Sequence, residues 1–215
     1  MPKLFAIGDI HGCHRQLLSL LDRLPLDKAE DTLVFLGDYI NRGPDSRKVL
    51  DTLLALERSC RHAVFLKGNH EQALLEYALS GEPEGLHLLR VMGVETTAGS
   101  YGAPLRRLLD LSCLPPEHQQ FLFALKLTFA WDGYLFTHAD YDPSAPPDTE
   151  ATLLASRRLA GEDRLLAAAG PVVVFGHLPY AMPLVKPDRI GIDTGAVYGN
   201  MLTAVQLPER KFYHA

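Results

Sequence analysis

The stretch FLGDYINRGPDS, residues 35–46, ends an apolar run and then places a carboxylate, an amide and a guanidinium within five positions. These side chains belong to Asp38, Asn41 and Arg42. Two further apolar runs end in a similar way, in FAIGDIHGC at 5–13 and in VFLKGNHE at 64–71. In open α/β sheets, ligands bind beyond the carboxyl ends of the strands. The three stretches therefore predict a ligand site at such an edge.

The front half of the chain alternates between short apolar runs and stretches with leucines at helical spacing. The apolar runs are Lys3–Ile7, Thr32–Leu36 and Ala63–Leu66. In the first helical stretch, the residues expected on one face are Leu17, Leu18, Leu21 and Leu24. Repetition of strand, loop and helix predicts a parallel sheet with right-handed crossover connections.

The back half of the chain has a different pattern, with less helix between its apolar runs. The segment KLTFAWDGYLFTHA contains two strand-like runs around the turn dipeptide Asp132-Gly133, which indicates a hairpin. Further strand-like runs are PVVVFGH, RIGID and MLTAVQL, and residues 82–124 have helical and loop character. These patterns predict an α/β fold with two packed mixed β-sheets flanked by helices, in a single domain that spans residues 1–215.

Composition limits the classes of partner and compartment. Of the 215 residues, 47% are hydrophobic and 22% are charged, and the net charge of -5 argues against a nucleic-acid partner. No apolar run approaches the ~20 residues of a membrane span, so no membrane partner is expected. The three cysteines are widely spaced, which favours reduced thiols and a cytoplasmic location. The oligomeric state is not determined by the sequence.

Five predicted strands end in potential metal ligands. These residues are Asp9 and His11, then Asp38, Asn69, His138 and His177. A mixture of imidazole, carboxylate and amide ligands suits Mn, Fe or Zn better than Ca. Six protein ligands are too many for one catalytic metal and fit two metals that share a carboxylate. The histidines without this context, which we expect at the surface, are His14, His62, His87, His118 and His214.

The order of these motifs resembles that of a known family. GDIHG, GDYINRG, GNHE, THAD and GH, from Gly8 to about Gly199, resemble the calcineurin-like metallophosphoesterases. Within them, the motifs are most similar to the phosphoprotein phosphatase branch in its compact lambda-phage and bacterial form. The resemblance implies an enzyme with two divalent metal ions, with Mn²⁺ expected and Fe or Zn as alternatives. It also implies in-line attack of a metal-bound hydroxide on phosphorus, without a covalent intermediate.

The resemblance assigns a role to each ligand position. Asp9 and His11 would hold the first metal, with His177 beside them, and Asp38 would bridge the two ions. The remaining ligands of the second metal would be Asn69 and His138.

The resemblance also implies residues that act on the substrate. His70 matches the general acid toward the leaving group, and Arg42 matches an arginine that binds phosphate oxygens. Arg157, in LLASRRL, matches the second phosphate arginine, with its neighbour Arg158 as an alternative. The family usually has a tryptophan before this arginine, where the chain has Ala155.

Asn41 departs from the family pattern, which usually has aspartate at this position to support the catalytic histidine. An amide carries no charge, and its NH₂ group can favour the wrong imidazole tautomer. Three interpretations follow: a natural enzyme suited to better leaving groups, an engineered variant with slow turnover, or a protein that binds without catalysis.

The leading functional prediction is dephosphorylation of phosphoserine and phosphothreonine, and of phosphotyrosine as an extension, in a phosphoprotein or phosphopeptide partner. The first alternative is a dinucleoside polyphosphate hydrolase, because those enzymes share the same motifs. The segment VETTAGSYGAP, residues 94–104, is similar to segments on both sides of this divide. The second alternative is a catalytically impaired, phosphatase-like binding protein, because of Asn41.

Overall fold

A computed structural model of the chain describes residues 2–141, 149–154 and 170–215. Its strands are β1 (Leu4–Ile7), β2 (Thr32–Phe35), β3 (His62–Phe65), β4 (Thr128–Trp131), β5 (Tyr134–Thr137), β6 (Val172–Phe175), β7 (Leu184–Val185), β8 (Arg189–Gly191), β9 (Thr203–Leu207) and β10 (Lys211–His214). Its helices are α1 (His14–Arg23), α2 (Ser46–Ser59), α3 (Asn69–Ser80), α4 (Pro83–Val91), α5 (Val94–Ser100), α6 (Leu105–Leu109), α7 (Pro116–Ala124) and α8 (Thr149–Leu154), with a 3-10 helix at Ala196–Tyr198.

Two mixed sheets of five strands each form the framework, in the orders β10-β9-β1-β2-β3 and β4-β5-β6-β8-β7. Strands β1, β2 and β3 are parallel, and β5, β6 and β8 are parallel in the second sheet. The predicted α/β class with two packed mixed sheets is therefore confirmed. The carboxyl ends of the parallel strands bring the polar segments that follow them to one region.

Strands β1 and β2 of the first sheet are continuous apolar runs because both of their faces are buried. Alternate residues such as Phe5 and Phe35 pack into a core with the helices. Their neighbours Ala6 and Val34 pack into a second core, which also contains Phe136 of the opposite sheet. Because these strands are held from both sides, the loops at their ends have rigid anchors. That residues 1–215 form one domain stays a prediction.

Two details differ from the predictions. In α1, Leu18 is 48% exposed, whereas Leu20 is fully buried and takes its place in the core. The buried stripe thus starts at Leu17 and continues three residues later, as one face of a helix requires. His118 is also fully buried rather than at the surface, because it packs beneath α5 and α2 with Tyr101 and Asp51 as hydrogen-bond partners.

None of the helices within the described residues is long and apolar enough to cross a membrane. The three cysteines, Cys13, Cys60 and Cys113, are free thiols, as their spacing predicts.

Candidate metal centre

The loops after β1, β2 and β6 adopt a backbone conformation that is uncommon outside glycine. Positive φ values occur at His11 (44°), Asp38 (52°), Asn41 (68°), Arg42 (64°) and His177 (69°). Such conformations cost about 1–3 kcal/mol each and persist where the surroundings enforce them. Here the backbone N–H of His11 donates to the carbonyl of Asp38 at 2.7 Å, which ties the first two loops together. The loops after β1 and β2 are therefore held against each other in this uncommon conformation.

Two glycines let this region close tightly. A Cβ atom added to Gly68 would lie 2.1 Å from Asp38 Oδ1, and one added to Gly176 would lie 2.0 Å from Asp9 Oδ1. Any side chain at either position would displace a carboxylate. These glycines are thus required for the approach of the loops to the two acids.

Glu71 holds the loop that carries Asp38, a role that the sequence analysis did not assign. Its carboxylate accepts the N–H groups of Asp38 (3.0 Å) and Gly68 (3.0 Å) through Oε2, and of Tyr39 (2.9 Å) and Ile40 (3.2 Å) through Oε1. The side chain is fully buried. The signal was available, since a glutamate three residues after the N-cap Gly68 is half of a capping box.

The six predicted ligands converge. Asp38 Oδ2 lies 3.3 Å from His11 Nε2, and its Oδ1 lies 3.5 Å from His138 Nε2. Asn69 Oδ1 lies 2.9 Å from His138 Nε2. Ligand atoms of Asp9, Asp38 and His138 all lie within 4.8 Å of one another. Asp38 thus stands between His11 on one side and His138 with Asn69 on the other, as a bridging carboxylate would.

The family resemblance implies that His177 lies with Asp9 and His11, and the structure corrects this grouping. His177 Nδ1 lies 3.1 Å from Asn69 Oδ1, and the His177 ring centroid is 5.2 Å from that of His138. Only the backbone N–H of His177 reaches Asp9, at 3.0 Å from Oδ2. The imidazole therefore lies with Asn69 and His138, after a tight turn in which His177 has a φ of 69°.

Hydrogen bonds to backbone carbonyls place the ring protons of two imidazoles on Nδ1. Nδ1 of His11 donates to the carbonyl of Ile40 at 3.0 Å, and Nδ1 of His138 donates to that of Leu36 at 2.9 Å. Each Nε2 therefore carries the lone pair and faces Asp38, and in His11 an N–H of Arg42 donates to it at 2.7 Å. Backbone acceptors of this kind commonly orient metal-binding histidines.

Burial keeps these rings neutral. It lowers the pKa of His11 to about 3, helped by the nearby Arg42 cation, and it lowers that of His177 to about 3. Burial likewise lowers the pKa of His138 to about 4. Neutral imidazole is the form that binds metal.

The carboxylates are shifted in the opposite direction. Burial raises the pKa of Asp38 to about 7, and burial with the charges of Asp193 and Asp38 raises the pKa of Asp9 well above its usual range. Asp9 Oδ1 is buried and has no hydrogen-bond partner among the described residues. An orphaned buried oxygen and crowded acids are costly unless a cation compensates them. The residues present therefore fit divalent metal ions.

His70 lies beside this cluster with Asn41 behind it. Nδ2 of Asn41 is 3.0 Å from His70 Nδ1, and His70 Nε2 is 3.8 Å from Asp38 Oδ2. An amide NH₂ group only donates, so His70 Nδ1 accepts and the ring proton lies on Nε2. Burial and the neighbouring His11 lower the pKa of His70 strongly. The ring thus presents a neutral N–H toward the centre.

Arg42 also reaches the centre, with Nη1 2.7 Å from His11 Nε2 and its Cζ 5.6 Å from the centroid of the Tyr198 ring. Arg157 and Arg158 lie outside the described residues, so the second phosphate arginine stays a prediction. Asp193, which was not among the predicted site residues, is a further buried acid, and burial raises its pKa to about 6. Its position after the β8 run RIGI was a usable signal, because it is another acid at a strand end.

Comparison with known proteins agrees with this geometry. Residues 2–197 match the family described as calcineurin-like phosphoesterase. The chain is 30% identical to Serine/threonine-protein phosphatase 1 of Salmonella typhimurium, over 95% of this chain and 91% of that protein. It is 29% identical to the asymmetrical bis(5'-nucleosyl)-tetraphosphatase PrpE of Geobacillus thermodenitrificans, over 94% and 89%.

Solved structures are similar as well. The crystal structure of a candidate diadenosine tetraphosphatase is 25% identical, with a TM-score of 0.72, over 100% of this chain and 95% of that one. A cold-active protein tyrosine phosphatase is similar in fold, with 18% identity and a TM-score of 0.68 over 100% and 76% of the two chains.

The two-sheet fold with a buried cluster of acids and imidazoles at its strand ends defines a metal-dependent phosphatase. The chain belongs to the calcineurin-like phosphoesterase family.

Proposed function

We propose that the chain is a dinuclear-metal hydrolase whose preferred substrates release a stabilised anion, with dinucleoside polyphosphates as the leading class. The metal ligands proposed are Asp9, His11 and Asp38 for one ion, and Asp38, Asn69, His138 and His177 for the other. We expect Mn²⁺, with Fe or Zn as alternatives. Bound cations would supply Lewis-acid stabilisation of the phosphate and an activated water.

One observation carries the choice of substrate class, namely the NH₂ group of Asn41 facing His70 Nδ1 at 3.0 Å. A carboxylate at this position would accept a hydrogen bond from Nδ1–H and stabilise the imidazolium form of His70. The imidazolium would be an effective acid for protonating the leaving group. The amide instead supports the neutral ring, which donates a hydrogen bond but is a poor proton donor. A serine alkoxide needs protonation as it leaves, whereas a nucleoside polyphosphate departs as a stabilised anion.

The residues of the chain divide the remaining work. Arg42 offers its guanidinium to the phosphate oxygens, where negative charge must be offset during phosphoryl transfer. The Nε2–H of His70 offers a hydrogen bond to the leaving oxygen. Glu71 and the glycines at 68 and 176 keep the ligands in place before substrate arrives, which is the preorganisation that electrostatic catalysis requires.

A second candidate, the phosphoprotein phosphatase, is favoured by the 30% identity to the Salmonella serine/threonine phosphatase. Competition in one tube separates the two. Equimolar diadenosine tetraphosphate and phosphoserine peptide are incubated with the purified protein and Mn²⁺, and products are followed by mass spectrometry. Preferential loss of the dinucleotide supports the proposal. Preferential loss of peptide phosphate would replace it with the phosphatase. If neither substrate reacts while metal is bound, the impaired binding protein remains.

Asn41→Asp tests the leaving-group argument directly. We expect turnover of the phosphoserine peptide to rise by about 10–100-fold, because general acid catalysis is restored. Turnover of diadenosine tetraphosphate should change much less. Equal changes for both substrates, measured as kcat, would remove Asn41 from the chemistry.

A further inference from the structure

A chain of buried hydrogen bonds lies behind His70 and ends at α2. Asn41 Oδ1 accepts from Thr97 Oγ1 at 2.8 Å, and Thr97 Oγ1 lies 3.1 Å from Ser46 Oγ. The backbone N–H of Asn41 also donates to Thr97 Oγ1 at 2.9 Å. All four residues of this hydrogen-bond chain are at most 1% exposed, so water cannot substitute for a missing partner. We call it the 46–97–41–70 chain.

The direction of each hydrogen bond follows from a count of the donors and acceptors in this hydrogen-bond chain. Among the residues that the structure describes, Ser46 Oγ has Thr97 as its hydrogen-bond partner, so its proton goes to Thr97 Oγ1. Thr97 Oγ1 then accepts from Ser46 and from the Asn41 backbone, and its own proton goes to Asn41 Oδ1. The amide oxygen is thereby engaged, which leaves the NH₂ group for His70.

We propose that Thr97 is a positioning residue that fixes the side-chain amide of Asn41 and, through it, the ring N–H of His70 on Nε2. The hydroxyl of Thr97 is hydrogen-bonded to Asn41 and Ser46, neither of which is a proposed metal ligand. Its consequence for catalysis rests on the proposed function, in which a neutral His70 faces the leaving group.

The reversed amide would place its NH₂ group against Thr97 and its oxygen against His70. Thr97 would then have to donate to Ser46, and the Ser46 proton would lack an acceptor among the described residues. A buried donor without a partner is strongly disfavoured. Valine has nearly the same shape as threonine but carries a methyl group in place of the hydroxyl. Thr97→Val therefore removes the preference for one amide orientation while keeping the packing volume.

The direct test is the tautomer of His70 in ¹⁵N-histidine-labelled, Zn²⁺-loaded protein, read from long-range ¹H–¹⁵N spectra. His70 signals are identified by their loss in His70→Gln. We expect the Nε2–H form alone in the wild-type protein and in Thr97→Ser, and a mixture with the Nδ1–H form in Thr97→Val. Ser46→Ala is the matched control, because it removes a buried hydroxyl of the same chain but leaves Asn41 Oδ1 as the acceptor for Thr97. An unchanged spectrum of Thr97→Val, or an equal change in Ser46→Ala, would overturn the proposal.

Kinetics supply a second readout. In Thr97→Val, the amide oxygen can face His70, so the ratio of kcat for the phosphoserine peptide to kcat for p-nitrophenyl phosphate should rise by roughly threefold or more. A merely structural defect would lower both values and leave their ratio unchanged, which contradicts the proposal. If the wild-type protein hydrolyses no phosphate compound, the proposed function fails, and the spectra still decide the role of Thr97.

Discussion

Imidazoles are fully buried at the metal centre and also beneath helix α5, and their surroundings differ. At the centre, His138 has one nitrogen bonded to a backbone carbonyl and the other directed at Asn69 and Asp38. Beneath α5, His118 is satisfied on both sides, by the Tyr101 hydroxyl at 2.6 Å and by Asp51 at 3.0 Å. Burial is equal in the two places, so burial alone does not mark a site.

The difference lies in what remains unsatisfied. The centre gathers carboxylates whose pKa values are raised by burial, together with an orphaned oxygen of Asp9. The cluster of His118, Tyr101 and Asp51, which we call the His118 cluster, contains one acid, and the side chain of that acid is 53% exposed to solvent. A metal ion would stabilise the first arrangement and has nothing to add to the second. We therefore expect the centre to control activity and the His118 cluster to control stability.

The largest effect is expected from Asp38→Asn, because Asp38 is shared by both groups of ligands. Metal content should fall, and hydrolysis of the substrate preferred in the competition assay should drop by more than about 100-fold. Even changes outside the ligand shell cost about 10–100-fold in metal affinity or activity. Metal is measured by elemental mass spectrometry and activity at saturating Mn²⁺. His118→Phe is the control and should keep both properties. Two bound metal ions in Asp38→Asn would contradict the bridging role.

Gly68→Ala sharpens the comparison by changing the centre without touching a ligand. Gly68 has φ -92°, which alanine tolerates, so its effect comes from contacts of the new Cβ with Asp38, at 2.1 Å from Oδ1 and 2.3 Å from the backbone nitrogen. We expect activity to fall by roughly 10–100-fold through displacement of Asp38. Gly99→Ala is matched to it, because an added Cβ there meets no atom within 4 Å. Similar kinetics for the two variants would show that Gly68 is not required for the geometry.

His118→Phe should destabilise the fold by about 1–3 kcal/mol, because the hydroxyl of Tyr101 loses its buried partner. The free energy of unfolding is obtained from urea titrations monitored by circular dichroism. Activity per folded molecule should not change. His87→Phe, at an exposed position, is the control for replacing imidazole with phenyl. A loss of metal affinity in His118→Phe would break the distinction between the two regions.

The smallest effect is expected in the pH dependence of the contribution that His118 makes to the free energy of unfolding. Burial lowers the pKa of His118 below the ordinary histidine value of 6.5. The unfolded chain then binds more protons than the folded chain below about pH 6.5, so the contribution of His118 is present above that pH and is lost as the pH falls toward its lowered pKa. The stability difference between wild type and His118→Phe should accordingly be larger at about pH 8 than at about pH 5. A stability difference that grows on acidification would contradict the lowered pKa of His118.

Much of the site followed from the sequence because parallel strands deliver their carboxyl ends to one place. Asp38 and Asn69 are 31 positions apart in the sequence, yet they follow two neighbouring parallel strands, and their convergence needs no further information. The grouping of His177 was not predictable, because it depends on the direction of one side chain after a tight turn. The burial of His118 was not predicted, because nothing in the local sequence shows whether a histidine in a helix contacts a buried partner or solvent.

The sequence by itself determined the alternation of strands and helices in the front half, the identity of the ligand candidates and the departure at Asn41, since these depend on periodicity and residue type within short windows. The tertiary structure decided what long-range contacts control. It paired β9 with β1 across the length of the chain, and it placed Thr97 of α5 against Asn41. The orientation of an amide depends on such a distant hydroxyl, because its two ends are nearly equal in shape and differ only in which hydrogen bonds they can make.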